Sequence, residues 1–255
     1  MCSSDDDIEA ALPQPGVPAD WPAADTQPLG HDLTERLTAI SRAYCEHEGG
    51  CHGPDHTERV HNLALHIGRL MHARLDILSA AALLHDIGRS HETRTQGKVC
   101  HAEKGAELAE GILEELGVPE RTRRKILHCI ESHRFRNDKT PESLEARILF
   151  DADKLDSIGA IGIGRAFLFA GQVGARLHNR DVNVETTSSY SVEDTAYREF
   201  LVKLGRVKDL MLTPEGKRLA AERHAFMELF FARLDREIHG APGENTNQPT
   251  SIGNG

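Results

Sequence analysis

Histidine and aspartate come together at three points along the chain. His56 lies at the start of a segment with helical periodicity, His85 and Asp86 are adjacent at the end of an apolar run, and three aspartates fall within six residues (Asp151, Asp153 and Asp156). Burying an imidazole or a carboxylate is costly unless a charge or a hydrogen-bond partner receives it. A divalent cation would satisfy both groups, and neutral imidazoles with carboxylates are typical ligands of first-row transition metals. The three points therefore predict one shared metal site.

Each point also has a purely structural interpretation. His56 could be a packing histidine at a helix start, and the His85–Asp86 pair could be satisfied by a helix C-terminus. The three aspartates could form a solvated face, although their neighbours in the sequence are largely apolar. One shared metal accounts for all three points more economically than three separate explanations, so we take metal binding as the working hypothesis.

Two further histidines are predicted to point into the interior. His101 lies on an apolar helical stripe, and so does His133, whereas His128 shares its helix face with polar and charged residues. Periodicity therefore predicts that His133 is buried and that His128 lies at the surface. Either inward histidine could instead serve as a hydrogen-bonding residue of the core. His52, in a Gly-rich loop, is a weaker candidate for the rim of the site.

The elements that must position these residues are helices. Apolar residues recur at helical spacing through most of the chain, and no segment shows the alternation of a strand. The segment 76–87 is apolar on nearly all sides, which predicts the central helix of an all-α bundle. The predicted helices cover 32–47, 55–71, 76–87, 101–116, 119–133, 142–159, 194–211 and 214–238.

Local signals refine these boundaries. Asp55 is a predicted N-cap, Pro119 suits a first helical turn, and Thr213 is a predicted N-cap followed by Pro214 at the first helical position. The polar segment 172–193 is predicted to be a mobile loop.

The two ends of the chain differ in composition from the rest. Residues 1–30 contain six acidic residues and no Lys or Arg, residues 240–255 contain one acidic residue, and neither segment has usable periodicity. We predict disordered tails over 1–30 and 240–255 and one folded domain over 31–239. Without the tails, the net charge of −10 reduces to 33 acidic against 30 basic residues.

Composition excludes several classes of function. The nearly neutral folded part argues against extended nucleic-acid binding. No apolar run reaches the roughly 18 residues of a membrane span, and the N-terminus does not resemble a signal peptide. The five cysteines are scattered, which indicates a reducing, cytoplasmic setting rather than a disulfide framework. A monomer and a homodimer are both compatible with the sequence.

Three sequence motifs resemble a known family. GPDHTERV, LLHDIG and DADKLDSIGAIGIGRAF are similar to the H…HD…D signature of the HD-domain metal-dependent phosphohydrolase superfamily. Further segments, HAEKGAELA, HCIESHRF and LAAERHAFMELF, resemble the bacterial HD hydrolases of the YedJ type. The resemblance covers about 32–239 and implies an HD-domain helical bundle over the whole folded part.

The resemblance also implies a set of metal ligands. These are His56, His85, Asp86 and Asp153, since the family ligand is the aspartate that precedes a Lys or Arg, here Lys154. Asp156 would then be a neighbour of the metal or face the substrate. Some members hold a second metal with additional histidines, for which His101 and His133 are the candidates.

The activity implied is hydrolysis of a phosphate ester in a nucleotide or another small metabolite. The cofactor would be one or two divalent transition metals (Mn, Fe, Ni or Zn, with Mg as a further option). Asp86 and Asp156 are the expected catalytic residues, although a histidine that is not a ligand could also move the proton. Basic residues near the motifs could meet the phosphate, namely Arg89, Lys104, Arg134, Lys154 and Arg165.

Two alternatives remain open. Some HD proteins with six ligands are di-iron oxygenases, and others are non-catalytic metal or nucleotide sensors. The complete ligand set argues against a sensor, because sensors built on enzyme folds commonly lose a ligand.

Overall fold

The computed structural model describes residues 30–46, 53–134, 139–179, 181 and 183–240, and every regular element in these ranges is helical. The α-helices are α1 His31–Cys45, α2 Pro54–Leu70, α3 Leu75–Leu84, α4 Arg89–Arg94, α5 His101–Glu115, α6 Glu120–Ser132, α7 Leu144–Leu155, α8 Gly159–Gln172, α9 Ala196–Val202 and α10 Pro214–Ile238. Two 3-10 segments cover Val184–Thr186 and Leu204–Leu210. The all-α prediction is confirmed. Apart from Gly30 and Gly240, the segments predicted to be tails lie outside the described residues, and so does His52.

Helix α3 is the centre of the bundle, as its apolar sequence predicts. Nine of its ten residues are buried, and α1, α2, α6 and α7 all pack against it. Leu78, Ala81 and Leu84 are completely shielded from solvent. A helix that is apolar all round is stable only when neighbours cover every side, so the sequence of α3 specifies a surrounded helix. Its C-terminal end therefore lies deep in the protein.

Helix boundaries differ from the prediction where a motif begins. The helix predicted over 76–87 ends at Leu84, and residues 85–88 form a turn. Asp55 is not the N-cap of α2. Gly53 holds that position in extended conformation, with Pro54 at the first helical position, so Asp55 falls inside the first turn, where its charge still suits the positive end of the helix dipole.

Two helices were not predicted. The short α4 follows the turn that carries His85, and α8 lies between the helix predicted over 142–159 and the loop predicted over 172–193. The single helix predicted over 194–211 is interrupted at Lys203, where φ is −136°, and it continues as a 3-10 segment. Among the described residues of the predicted 172–193 loop, the helical ones are Gln172, the last residue of α8, and Val184–Thr186.

The start of α10 follows the prediction. Thr213 is its N-cap, and the Thr213 hydroxyl accepts a hydrogen bond from the Gly216 amide at 3.0 Å. Asp151 of α7 fixes this cap in turn, because its carboxylate accepts hydrogen bonds from the Leu212 amide and from the amide and hydroxyl of Thr213 at 2.6–2.8 Å. Asp151 thus connects α7 to α10.

Candidate metal centre

The first turn of α2 directs His56 into the bundle. The ring is 1% exposed, and its Nδ1 lies 2.7 Å from Asp156 Oδ2. Its Nε2 lies 3.4 Å from Asp153 Oδ1 and 3.7 Å from Asp86 Oδ2. Burial lowers the pKa of His56, but hydrogen bonds to Asp153 and Asp156 and the charge of Asp86 raise it overall to about 9. Three carboxylates from two parts of the chain, the turn after α3 and the end of α7, therefore meet at this imidazole.

The turn after α3 carries His85 and Asp86, both buried. His85 Nδ1 donates to the Ala82 carbonyl at 2.8 Å, which leaves Nε2 directed at His56 Nε2, 3.4 Å away. Burial lowers the pKa of His85. Burial opposes ionisation of Asp86 as well, yet the surrounding positive charges, Arg89 among them, hold its pKa well below the usual range. Asp86 is therefore an anion in the interior.

His101 and His133 lie on the other side of Asp86. Their Nε2 atoms are 3.1 Å apart and lie 3.3 Å and 3.7 Å from Asp86 Oδ1. Both rings are buried, as their periodicity predicts, and burial lowers the pKa of His133 to about 3. His128 is only partly buried, and its Nε2 accepts the Glu142 amide at 3.1 Å.

The four imidazoles share one arrangement. Each Nδ1 lies within hydrogen-bond distance of an oxygen: Asp156 for His56, the Ala82 carbonyl for His85, Glu92 for His101 and the Ile130 carbonyl for His133. A proton on Nδ1 leaves Nε2 as the free lone pair, and metal-binding histidines are typically held from behind in this way. All four Nε2 atoms converge on Asp86. The donor set therefore fits a divalent transition metal.

Two groups of potential ligands share one carboxylate. His56, His85 and Asp86 form one group, and Asp86, His101 and His133 form the other. Within each group the ligand atoms lie within 4.8 Å of one another. Asp153, 16% exposed at its side chain, stands beside the first group through its contact with His56. The six residues named from the sequence are thus brought together by four helices and the turn after α3.

The three aspartates of α7 have three different environments. Asp153 contacts His56, and the nearby positive charges keep its pKa well below the usual range. Asp151 faces away and holds the start of α10. Asp156 accepts hydrogen bonds from Arg59 and Arg165 as well as from His56, and burial does not prevent these partners from lowering its pKa. The oxygens of Asp156 are therefore engaged by three side chains, which hold this carboxylate against His56.

The basic residues expected to meet phosphate are divided between the site and the surface. Arg89 donates to both oxygens of Asp86 at 2.8 Å and 2.9 Å, Lys154 lies 2.7 Å from Asp153, and Arg134 pairs with Glu92. Lys104 instead binds the exposed Glu107.

Sequence reasoning missed Glu92 and Arg59. Glu92 lies in the unpredicted α4 and holds His101. Arg59 lies one turn after His56, on the same face of α2, and binds Asp156. The position of Arg59 three residues after an inward histidine was a usable signal, whereas nothing in the spacing pointed to Glu92.

A cavity of about 410 Å³ lies between α8, the segment around Tyr190 and α9, and none of the six residues of the centre lines it. Its lining includes Phe169 and Tyr190, whose rings meet edge to face with centroids 5.6 Å apart, together with Arg165 and Lys203. Arg165 also reaches Asp156 Oδ2 at 2.6 Å. One side chain therefore connects the cavity to the carboxylate behind His56.

No helix among the described residues has both the length and the hydropathy needed to cross a membrane.

Comparison with known proteins places this centre in a family. Residues 55–158 match the HD domain family, and this range contains all six residues of the centre. The chain is 36% identical to the uncharacterized protein YpgQ of Bacillus subtilis over 216 residues, which cover 83% of this chain and 97% of YpgQ.

Solved structures agree with the sequence comparison. The crystal structure of Bacillus subtilis YpgQ in complex with ADP superposes with a TM-score of 0.63 at 29% identity, covering 82% of this chain and 96% of that one. An HD-superfamily hydrolase from Bacillus thuringiensis superposes with a TM-score of 0.65 at 28% identity, covering 82% and 97%. The narrower likeness to the YedJ-type group stays a prediction. From its motifs, its fold and these relatives, the chain belongs to the HD domain family.

Proposed function

We propose that this chain is a metal-dependent phosphohydrolase that acts on a phosphate ester of a nucleotide or another small metabolite. Family membership supports a metal-dependent hydrolase in general. The observation that carries the proposal is the convergence of four imidazole Nε2 atoms on the buried Asp86, each ring held from behind by an oxygen.

Each residue has a defined task in this proposal. His56, His85, Asp86 and Asp153 would hold a divalent metal, whose chemistry is to lower the pKa of a water molecule and to offset charge on the phosphoryl oxygens. Asp156 keeps the His56 ring oriented, and Arg59 and Arg165 keep Asp156 ionised. Lys154 and Arg89 pair with the ligand carboxylates Asp153 and Asp86, so they are the cations proposed to meet a phosphate group.

Two observations support a nucleotide as the substrate. The related YpgQ was crystallised in complex with ADP. In this chain, the cavity that Arg165 connects to Asp156 offers the Phe169 and Tyr190 rings for a flat aromatic base and Arg165 and Lys203 for a charged group. A nucleotide would combine a phosphate at the centre with a base in this cavity.

The decisive experiment is a phosphatase screen of protein reconstituted with Mn, Fe, Ni, Zn or Mg. Substrates would be nucleoside mono-, di- and triphosphates and sugar phosphates. We expect turnover that Asp86→Ala reduces by at least ~100-fold together with metal content, since removing a buried ligand empties the site. The exposed Asp32→Ala of α1 serves as the matched control and should behave like the parent protein. Full metal occupancy in Asp86→Ala, by elemental analysis, would refute the ligand assignment.

We further propose that His101 and His133 bind a second metal that shares Asp86 with the first. His133→Ala should then lower the metal content from two towards one per chain, whereas the partly buried His128→Ala should leave it unchanged. An unchanged metal content in His133→Ala would show that His133 does not hold a second metal.

A di-iron oxygenase is the second candidate function, because Asp86 belongs to two adjacent groups of three potential metal ligands, and each group could hold one iron. Iron-dependent oxygen consumption without turnover of any phosphate ester would favour the oxygenase over the hydrolase. Metal or nucleotide binding without any turnover would favour a sensor.

A further inference from the structure

Helix α10 carries a second feature on the side that faces away from the core. Its inner face packs through buried residues such as Met227 and Phe231. Its outer face exposes Phe226 at 46% and Leu229 at 62%, three residues apart. Single exposed apolar side chains are ordinary on protein surfaces, but two large ones side by side at mid-helix make a hydrophobic contact point.

The charges around this contact point have a definite order. Glu222 lies one turn before Phe226 and Arg233 one turn after Leu229, so the four residues share one helix face. Arg218 and Glu237 lie a further turn away at either end. All four charged side chains are more than half exposed. Glu222 and Arg233 lie at equal distances from the midpoint between Phe226 and Leu229, and their charges are opposite. The same holds for Arg218 and Glu237.

This order is self-complementary for two antiparallel copies of the helix. In a two-fold contact the same surface patch is used by both copies, so residues at equal distances from the axis face each other. With the axis between Phe226 and Leu229, Phe226 of one copy meets Leu229 of the other, and Glu222 meets Arg233. The contact would contain two such ion pairs around an apolar centre.

Helix α8 adds to the apolar surface beside α10. The two helices pack together, with the rings of Phe167 and Phe230 6.0 Å apart. Helix α8 exposes Ile161 and Leu168 at 41% and 49%, and none of its exposed residues is charged. A second α10 lying on this side of the molecule would therefore meet further apolar surface.

We infer that the outer face of α10 is a homodimer interface, in which two copies pair their Phe226–Leu229 centres antiparallel and exchange Glu222–Arg233 ion pairs. This inference does not depend on the proposed hydrolase function, because none of these residues lies in the metal centre.

The first test measures molecular mass by sedimentation at micromolar concentration. We expect twice the 28.1 kDa of one chain. Leu229→Glu should shift the protein to monomer by placing charge at the apolar centre. Leu177→Glu is the matched control, because Leu177 is equally exposed at 63% but lies in the loop after α8, and it should remain dimeric. A parent protein that stays monomeric at every concentration would overturn the inference.

A charge exchange tests the predicted pairing itself. Glu222→Arg or Arg233→Glu alone places two like-charged pairs across the axis, and each should raise the dissociation constant about tenfold or more. An equimolar mixture of the two variants restores both opposite-charge pairs in a heterodimer, so the dimer mass should return. Helical circular dichroism, unchanged in each variant, checks the fold. The pairing would be contradicted if neither substitution changed the dissociation constant of the dimer, or if the two variants stayed monomeric when mixed.

Discussion

At the residue scale, the protonation of His56 couples metal binding to pH. In the metal-free protein the carboxylates around this ring raise its pKa to about 9, so His56 is protonated at neutral pH. A ligand imidazole must be neutral, and metal uptake must therefore release the proton. We expect the apparent metal affinity to rise with pH up to about 9 and then to level off.

Metal titrations followed by calorimetry in buffers with different ionisation enthalpies would count the released protons. His128→Ala is the control that should keep the pH dependence, because His128 lies outside the centre. An affinity that does not change between neutral pH and pH about 9 would show that His56 is not a ligand.

The aspartates of α7 provide a second prediction: one substitution should lower the stability of the fold, and another should lower the metal content. Asp151→Asn should destabilise the fold by about 1–3 kcal/mol, because a buried carboxylate that accepts three hydrogen bonds at the start of α10 is replaced by an amide. Its metal content should be unchanged. Asp153→Asn should do the opposite and lose metal with little change in the free energy of unfolding. Metal loss in Asp151→Asn with retention in Asp153→Asn would show that the wrong carboxylate was chosen.

What the sequence could predict about single residues was their direction within a helix. The periodicity of apolar residues correctly predicted that His133 is buried and that His128 lies nearer the surface. It could not predict the hydrogen bond between His101 and Glu92, because Glu92 belongs to a six-residue helix whose position depends on its neighbours. The spacing of residues within a helix predicts which of its faces is buried, but it does not predict which other helix that face contacts.

At the element scale, Gly88 allows the turn after α3 (residues 85–88) to approach α5 closely. A Cβ atom at Gly88 would lie 2.2 Å from the His101 carbonyl oxygen and 2.5 Å from the Gly105 amide nitrogen, so only glycine fits. Gly88→Ala should destabilise the protein by about 1–3 kcal/mol or more through overpacking. It should also weaken metal binding, because it displaces His101.

Denaturant unfolding and metal analysis would check this prediction against Gly111→Ala. Gly111 also lies in α5, but a Cβ atom at this position would have no neighbouring atom within 4 Å. This control should gain roughly 0.5–1 kcal/mol, because alanine is the better helix former. Equal stabilities for the two variants would exclude a close approach at Gly88.

Helix α8 was not predicted from the sequence for a physical reason. Helix α8 contains four glycines, which lowers its intrinsic helix propensity, and its stability comes from packing against α9 and α10. One of these glycines, Gly162, fits against the Ser157 carbonyl, where a Cβ would come within 2.2 Å. Contacts with neighbouring helices determine whether a helix such as α8 forms. Helix α3 could be predicted because its own apolar composition requires burial.

At the scale of the whole molecule, the segments 1–30 and 240–255 are predicted to be dispensable. Their composition offers little apolar surface to offset the entropy of ordering them. A chain shortened to residues 31–239 should keep the melting temperature and the activity of the full chain. A large loss of either, measured by calorimetry and by the phosphatase assay, would show that one of the segments docks on the folded domain.

The burial of α3 also determines how the protein would exchange its amide hydrogens with deuterated solvent. With nine of ten residues buried and neighbours on all sides, the amides of α3 can exchange only when the whole domain unfolds. The slowest-exchanging hydrogens therefore lie immediately before the His85–Asp86 pair, and their rate measures the global free energy of unfolding. We expect the exposed turn around Tyr190 to exchange by local opening instead. The chain thus holds two of its candidate metal ligands, His85 and Asp86, at the end of the helix whose amides are the last to open.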